Sequence, residues 1–265
     1  MTADLSLSRR RLITTSALGA GGLALGGCDA LSHDPGVQAF LGRAEGLALS
    51  SQRALQNRTA LAREFSHADL SPVFKANGTT MPDTPEYLRL LGNHFADWRL
   101  RIDGLVARPL ALSLAQLKAL PARAQITRHD CVEGWSAIGK WAGPQLGPLL
   151  RIAGLRPEAR YIVFHCADNL AGEPAKGGDM TAGRYYESID LVDAFHRQTI
   201  LAHTMNDRPL DVPHGAPLRL RVERQLGYKH AKYLMRIEAV ASFADLSGGR
   251  GGFWEDRGYE WYAGI

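Results

Sequence analysis

Arg128–Trp135 reads RHDCVEGW, and the reading of its cysteine decides how the rest of the chain is understood. A structural cysteine is a small buried hydrophobe among apolar neighbours, whereas a reactive or metal-bound thiol sits in a polar, electropositive setting that favours the thiolate. Cys131 stands beside Arg128, His129, Asp130 and Glu133. Its setting is the polar one, and the next question is what it binds.

Two other cysteines constrain the answer. Cys166 lies in FHCAD, Phe164–Asp168, and Cys28 closes an apolar leader. A Cys131–Cys166 disulfide is one option for an exported protein. Zinc held by His129, Cys131, His165 and Cys166 is another, but neither pair has the usual ligand spacing, and in a strand His165 and Cys166 point to opposite faces.

The leader is SRRRLITTSALGAGGLALGGC, Ser8–Cys28: basic residues at Arg9–Arg11, then an uncharged, glycine-rich run too short to span a bilayer. It resembles a twin-arginine export signal, and LGGC, Leu25–Cys28, resembles a lipobox whose cysteine becomes lipidated. An ordinary secretory leader and a chance cysteine are the plainer alternatives. Residues 1–28 are thus expected to address the protein to the periplasm, and the lipobox resemblance implies lipid attachment at Cys28.

The whole chain of 265 residues has an ordinary globular composition, 45% hydrophobic and 22% charged, with a net charge of +4. Its Lys and Arg are scattered without interleaved aromatics, which argues against nucleic acid. Val37, Phe40, Leu41, Ala44, Leu47 and Ala48 predict an amphipathic helix over 36–56. Residues 64–87 lack periodicity and read as an arm, so 29–95 forms an N-terminal helix and arm and 96–265 the main domain. DWRLRIDGLV alternates as a strand before an Asp-Gly turn, and Ser113 caps a short helix in LSLAQLKALP. Further strands are expected at Ala124–His129, Tyr161–Cys166, Leu218–Val222 and Tyr233–Val240, with short helices at Gln145–Ile152 and Leu191–His196. The polar loop NLAGEPAKGGDMTAGR, 169–184, is either a lid or a surface excursion. The fold class is α+β, with mixed β-sheets and short helices.

Four separated stretches, RHDCVEGWSAIGKWAGPQLGPLL, FHCAD, YYESIDLVDAFHRQTILAHTMNDRPL and HGAPLRLRVERQLGYKHAKYLMRIEAV, resemble in order the molybdopterin-binding domain of the sulfite oxidase superfamily, from about Trp98 to Ala241. Within it the chain looks most like the bacterial periplasmic branch that includes the catalytic subunit of protein-methionine-sulfoxide reductase. The resemblance implies a sulfite-oxidase-type fold and a molybdenum-molybdopterin cofactor with one pyranopterin dithiolene. It makes Cys131 the thiolate ligand of the metal, which suits a soft, sulfur-rich site.

For the pterin and its phosphate, the resemblance implies Arg219, Lys229 and Lys232 with the backbone N–H groups of His230 and Ala231. It adds His214 where relatives often carry Asn, Cys166 where the reductase-like relative has Thr, and Asn77 from the arm. Asn93 and His94 compete with Asn77. Glu133 and Asp168 flank the expected pocket and either move protons for catalysis or serve structure. Trp135, Trp141, Trp254, Trp261 and Tyr262 read as core or packed tail.

The chain has no C-x-x-C-H haem motif, so electrons are expected from an external cytochrome or membrane haem partner, with this chain a monomeric catalytic subunit. Around Cys131 the sequence offers Arg128 as the cation against Asp130, Glu133 and Asp168. That balance disfavours a sulfite dianion. The expected activity is oxygen-atom transfer that reduces an S-oxide or N-oxide. Sulfite oxidation by the same cofactor, or a cofactor-loaded binding module without turnover, are the alternatives.

Overall fold

Leu100 and Ile102 are fully buried while Arg99 and Arg101 are exposed, a period of two that makes strand β1 (Arg99–Gly104) half-buried. The computed structural model describes residues 35–55, 57–172 and 183–265. Among these, β1 pairs antiparallel with β2 (Leu110–Ser113) and parallel with β11 (Leu234–Val240). β5 (Tyr161–Asn169) and β6 (Arg184–Asp190) extend the sheet in the order β2-β1-β11-β5-β6. A second sheet runs β3-β4-β8-β9, from β3 (Ala122–Asp130), β4 (Ser136–Pro144), β8 (Thr204–Met205) and β9 (Arg208–Pro209). β7 (Ile200–Ala202) and β10 (Arg219–Arg221) form a two-stranded antiparallel ribbon, every residue of it buried.

The helices are α1 (Pro35–Leu55), α2 (Pro85–Gly92), α3 (Leu114–Lys118), α4 (Leu146–Ala153) and α5 (Leu191–Ala194). Ser113 caps α3 by accepting from the Gln116 N–H while Gln116 returns a bond to the Ser113 N–H. α4 ends where Gly154 turns left-handed at φ +70°. The expected helices at 36–56, 145–152 and 191–196 thus appear with small shifts at their ends. β4, β6 and α2 lie where the sequence reading set no element. β6 is buried on both faces, so it carries no alternation to detect.

The chain divides into two compact units, residues 1–56 and 57–265. The expected boundary at 95 falls inside the second unit, because the arm is tied to the sheets: the Phe65 N–H donates to the Ile126 carbonyl, and the Tyr87 hydroxyl to that of Ala216. The main core lies between the five-stranded sheet and helices α3–α5, around Leu149, Ile162, Phe164, Leu220 and Ile237. A second cluster gathers on Trp141, whose ring Arg219 and Arg221 cover at 4.9 and 4.5 Å. The export and lipidation motifs, Ser8–Ile13 and Cys28, lie outside the described residues, as do 173–182 of the polar loop.

Candidate active site

Strands β3 and β4 pair from Ala122↔Pro144 to Asp130↔Ser136, leaving Cys131–Trp135 as the hairpin turn. The Cys131 N–H bonds the Trp135 carbonyl at 2.9 Å and the Gly134 N–H returns to Cys131 at 3.0 Å; Gly134 supplies the positive φ, +84°, that closes the turn. The turn holds Cys131 half-buried with a free thiol. Burial raises that thiol's pKa and the Glu133 charge adds to the rise, while the N–H groups of Glu133 and Val132 favour the thiolate. A protein group alone therefore does not deprotonate it; a bound metal ion would.

Alternation places its neighbours on opposite sides. Arg128 points outward and pairs with Asp130 at 2.9 Å, whereas His129 is fully buried behind the turn. The cation counted on from the sequence is thus turned away from the site. Lys75 replaces it at the mouth, 3.3 Å from Glu133.

Cys131 opens on a cavity of about 160 Å³ built from six separate segments, its own turn among them. The arm contributes Asn77 and Thr79, β5 contributes Asp168, and the turn after β10 contributes His230 and Lys232. The rest of the wall includes Tyr185 from β6 and Trp254 and Tyr259 from the C-terminal segment. Lys232 donates to the carbonyls of Asn77 at 2.6 Å, Pro213 at 3.0 Å and Thr79. Burial, then the nearby Arg219 charge, lowers its pKa to about 7. Asp168 is pushed up to about 6, chiefly by burial, against the pull of Lys232 and a hydrogen bond with Thr79. Its Oδ1 and the Nδ1 of His230 are buried with no partner among the described residues. Burial, with Arg221 next, keeps His230 neutral, and its Nε2 donates to the Gln225 carbonyl at 3.0 Å. Nδ1 is therefore an unpaired acceptor.

A buried polar atom without a partner costs about 1–3 kcal/mol, so two on one cavity wall mark a place where a polar ligand completes the structure. Among the described residues no cluster of three or more His, Cys, Asp and Glu could hold a metal ion. The zinc constellation is not assembled: His165 instead bonds Glu238 at 2.8 Å. Cys131 and Cys166 are both free, which removes the disulfide. A lone thiolate beside orphaned hydrogen-bonding groups fits a metal that brings its remaining ligands on an organic group.

The other expected residues fall in different places. Lys229 is fully buried between Glu187 and Glu255, 2.5 and 2.6 Å away, and its charge is neutralised there. Arg219 is buried behind the cavity, donating to the carbonyls of His214 and His230. The His230 and Ala231 N–H groups turn inward to the Gly227 and Lys229 carbonyls. His214 is locked between Asp211 and the Phe74 carbonyl. Cys166 is buried in the main core at the edge of a second cavity, outside the lining of the first, its thiol raised well up by burial and then by the Asp168 charge. Asn77, not Asn93, reaches the first cavity; Asn93 caps α2 and holds Asp97. Glu133 lines the rim, kept ionised by hydrogen bonds from Trp135 and Lys75. The sequence reading missed Lys75, Thr79, Tyr185 and Tyr259, and treated Trp254 as packing. A glycine-punctuated aromatic run, FWEDRGYEW, was the available signal for the last two.

The profile of the oxidoreductase molybdopterin-binding domain matches residues 89–245. The chain is 34% identical to a protein of Azospira oryzae named as protein-methionine-sulfoxide reductase subunit YedZ1, across 98% of this chain and 89% of that one. It is 29% identical to the protein-methionine-sulfoxide reductase catalytic subunit MsrP of Xanthomonas campestris, across 90% and 72%, and 30% identical to that of Ralstonia nicotianae, across 88% and 68%. Among solved structures, the sulfane dehydrogenase SoxCD of Paracoccus pantotrophus superposes with a TM-score of 0.48 at 23% identity, over 55% of this chain and 39% of that one.

Proposed function

The chain belongs to the oxidoreductase molybdopterin-binding domain family, and on that premise we propose that this oxidoreductase reduces an organic S-oxide by oxygen-atom transfer, with Cys131 as its ligand to molybdenum. The observation that carries the choice of substrate is the charge of the cavity. Among the described residues Lys232 is the cation lining it, and three carbonyls already engage its ammonium. With Glu133 and, above about pH 6, Asp168 ionised on the same wall, a dianion such as sulfite finds repulsion. A neutral S-oxide meets no such obstacle. The relatives named as methionine-sulfoxide reductases support the same reading.

When bound, a molybdenum-pterin supplies two-electron oxygen-atom transfer. Asn77 and His230 line the cavity and would hold the organic part, His230 through its unpaired Nδ1. The raised pKa of Cys131 couples loss of its proton to arrival of the metal. Reduction of a sulfoxide consumes two protons and two electrons and releases a sulfide and water. Asp168, buried on the cavity wall and titrating at about 6, holds one such proton, with Lys232 beside it as a second group that exchanges near neutrality. Electrons arrive from a separate cytochrome or membrane haem protein. Export by the twin-arginine route, with lipid attachment at Cys28, would place the enzyme in the periplasm.

Protein purified after export from a molybdate-fed host should carry about one molybdenum per chain. It should oxidise reduced viologen with methionine sulfoxide faster than it transfers electrons from sulfite to ferricyanide. Sulfite oxidation without any S-oxide reduction, on fully loaded protein, would replace this reading with the sulfite-oxidising one.

A further inference from the structure

The cavity is completed by segments on either side of the family match, Asn77–Thr79 before residue 89 and Trp254–Tyr259 after residue 245. The second is tightly built. Trp254 and Tyr259 stack with ring centroids 5.2 Å apart and planes 30° from parallel. Between them the chain makes one turn of 3-10 helix, Glu255–Arg257, closed by Gly258 at φ +100° and by the Tyr259 N–H on the Trp254 carbonyl at 3.0 Å. Glu255 plugs this turn into the body through Lys229, which Glu187 shares. Tyr228 packs edge-on against Tyr259 at 5.4 Å. Yet Tyr259 remains 41% exposed, as does the nearby cavity residue Val132 at 45%. An aromatic pair fixed this firmly on a cavity wall, with Trp254 partly buried against the core and Tyr259 open to solvent, is preorganised to receive something apolar.

We infer that Trp254 and Tyr259 form the specificity wall of the cavity and select S-oxides that carry an apolar arm over compact ones. The inference rests on the S-oxide reading above and deepens it. Soft sulfur and its carbon substituents gain dispersion and sulfur–aromatic contacts against such rings, which a small polar oxide without an arm forgoes. Leu170 and Tyr185 continue the same apolar lining inward.

The test compares methyl p-tolyl sulfoxide with dimethyl sulfoxide on the molybdenum-loaded enzyme, as the ratio of their kcat/KM values with reduced viologen. Tyr259→Ala should lower that ratio about tenfold, equivalent to about 1.4 kcal/mol of selective binding, and Tyr259→Phe should restore it. Trp254→Phe should leave a partial preference. Molybdenum content and thermal midpoint identify variants that have lost cofactor or fold. Binding of methyl p-tolyl sulfide, followed by tryptophan fluorescence, gives a readout independent of turnover and should weaken in the same order. An unchanged ratio and unchanged sulfide binding in Tyr259→Ala overturn the wall. A wild-type enzyme that binds the sulfide but reduces neither oxide leaves the wall standing and sinks the S-oxide reading instead.

Discussion

Asp168 is the residue whose environment most clearly serves proton chemistry. The fold favours its neutral form and lifts its pKa to about 6. An ordinary aspartate titrates at about 3.9, so between these values the folded chain binds more protons than the unfolded one. Stability must therefore fall as pH rises through that window, by about 2–3 kcal/mol in all for a shift of this size. In cofactor-free protein, urea midpoints across pH 4 to 7 should show this decline in the wild type and a flatter profile in Asp168→Asn. The same substitution should remove a limb near pH 6 from the rate profile of S-oxide reduction. An unaltered profile would limit Asp168 to a structural part. Glu133 offers a contrast, since exposure and its hydrogen bonds with Trp135 and Lys75 leave it ionised and unsuited to carry a proton near neutrality.

At the scale of the element, the β3–β4 hairpin aims Cys131 and a second turn backs it. A Cβ built on Gly227 would sit 2.6 Å from the His129 Nε2 and 3.1 Å from the Asp130 carbonyl oxygen. Gly227→Ala should therefore push the His129 ring and the hairpin end apart and lower molybdenum retention several-fold. Gly134→Ala meets open space and differs: its cost is the positive φ alone, about 1–2 kcal/mol. Thermal melts and metal analysis of both variants separate the two effects, and equal molybdenum loss in both would refute the packing account. The first strand of this hairpin and the polar setting of Cys131 were legible in the sequence, but the hairpin itself was not, because its second strand went unseen. β4 and β6 were not legible, since the first alternates apolar residues with glycine and lysine and the second is buried on both faces.

Over the whole molecule, Lys229 joins the sheet to the C-terminal segment. Glu187 on β6 and Glu255 near the terminus both face it, all three fully buried. Breaking a buried ion pair from one side leaves uncompensated charge, at about 3–5 kcal/mol. Lys229→Met should lower the free energy of unfolding, measured by urea titration, by that amount, and adding Glu187→Gln with Glu255→Gln should recover part of it. A Lys229→Met protein as stable as wild type would show that the carboxylates take up protons without penalty. The same variant should also blunt the preference for arm-bearing S-oxides, because the Trp254–Tyr259 pair is fastened through Glu255.

The sequence by itself determined the strand periods, the capped helix at Ser113, the polar setting of Cys131 and the ordered motifs of the molybdopterin-binding family. These depend on neighbours a few residues apart, where side-chain direction follows from spacing. Which charges remain available to a ligand was decided only in three dimensions. Lys229 is consumed by Glu187, 42 positions away, Lys232 by the carbonyl of Asn77, 155 positions away, and Arg128 is turned outward by the pleat of its strand. The aromatic wall arises the same way, since exposed stacked rings and packed core rings share one composition until the tertiary fold sets what they face.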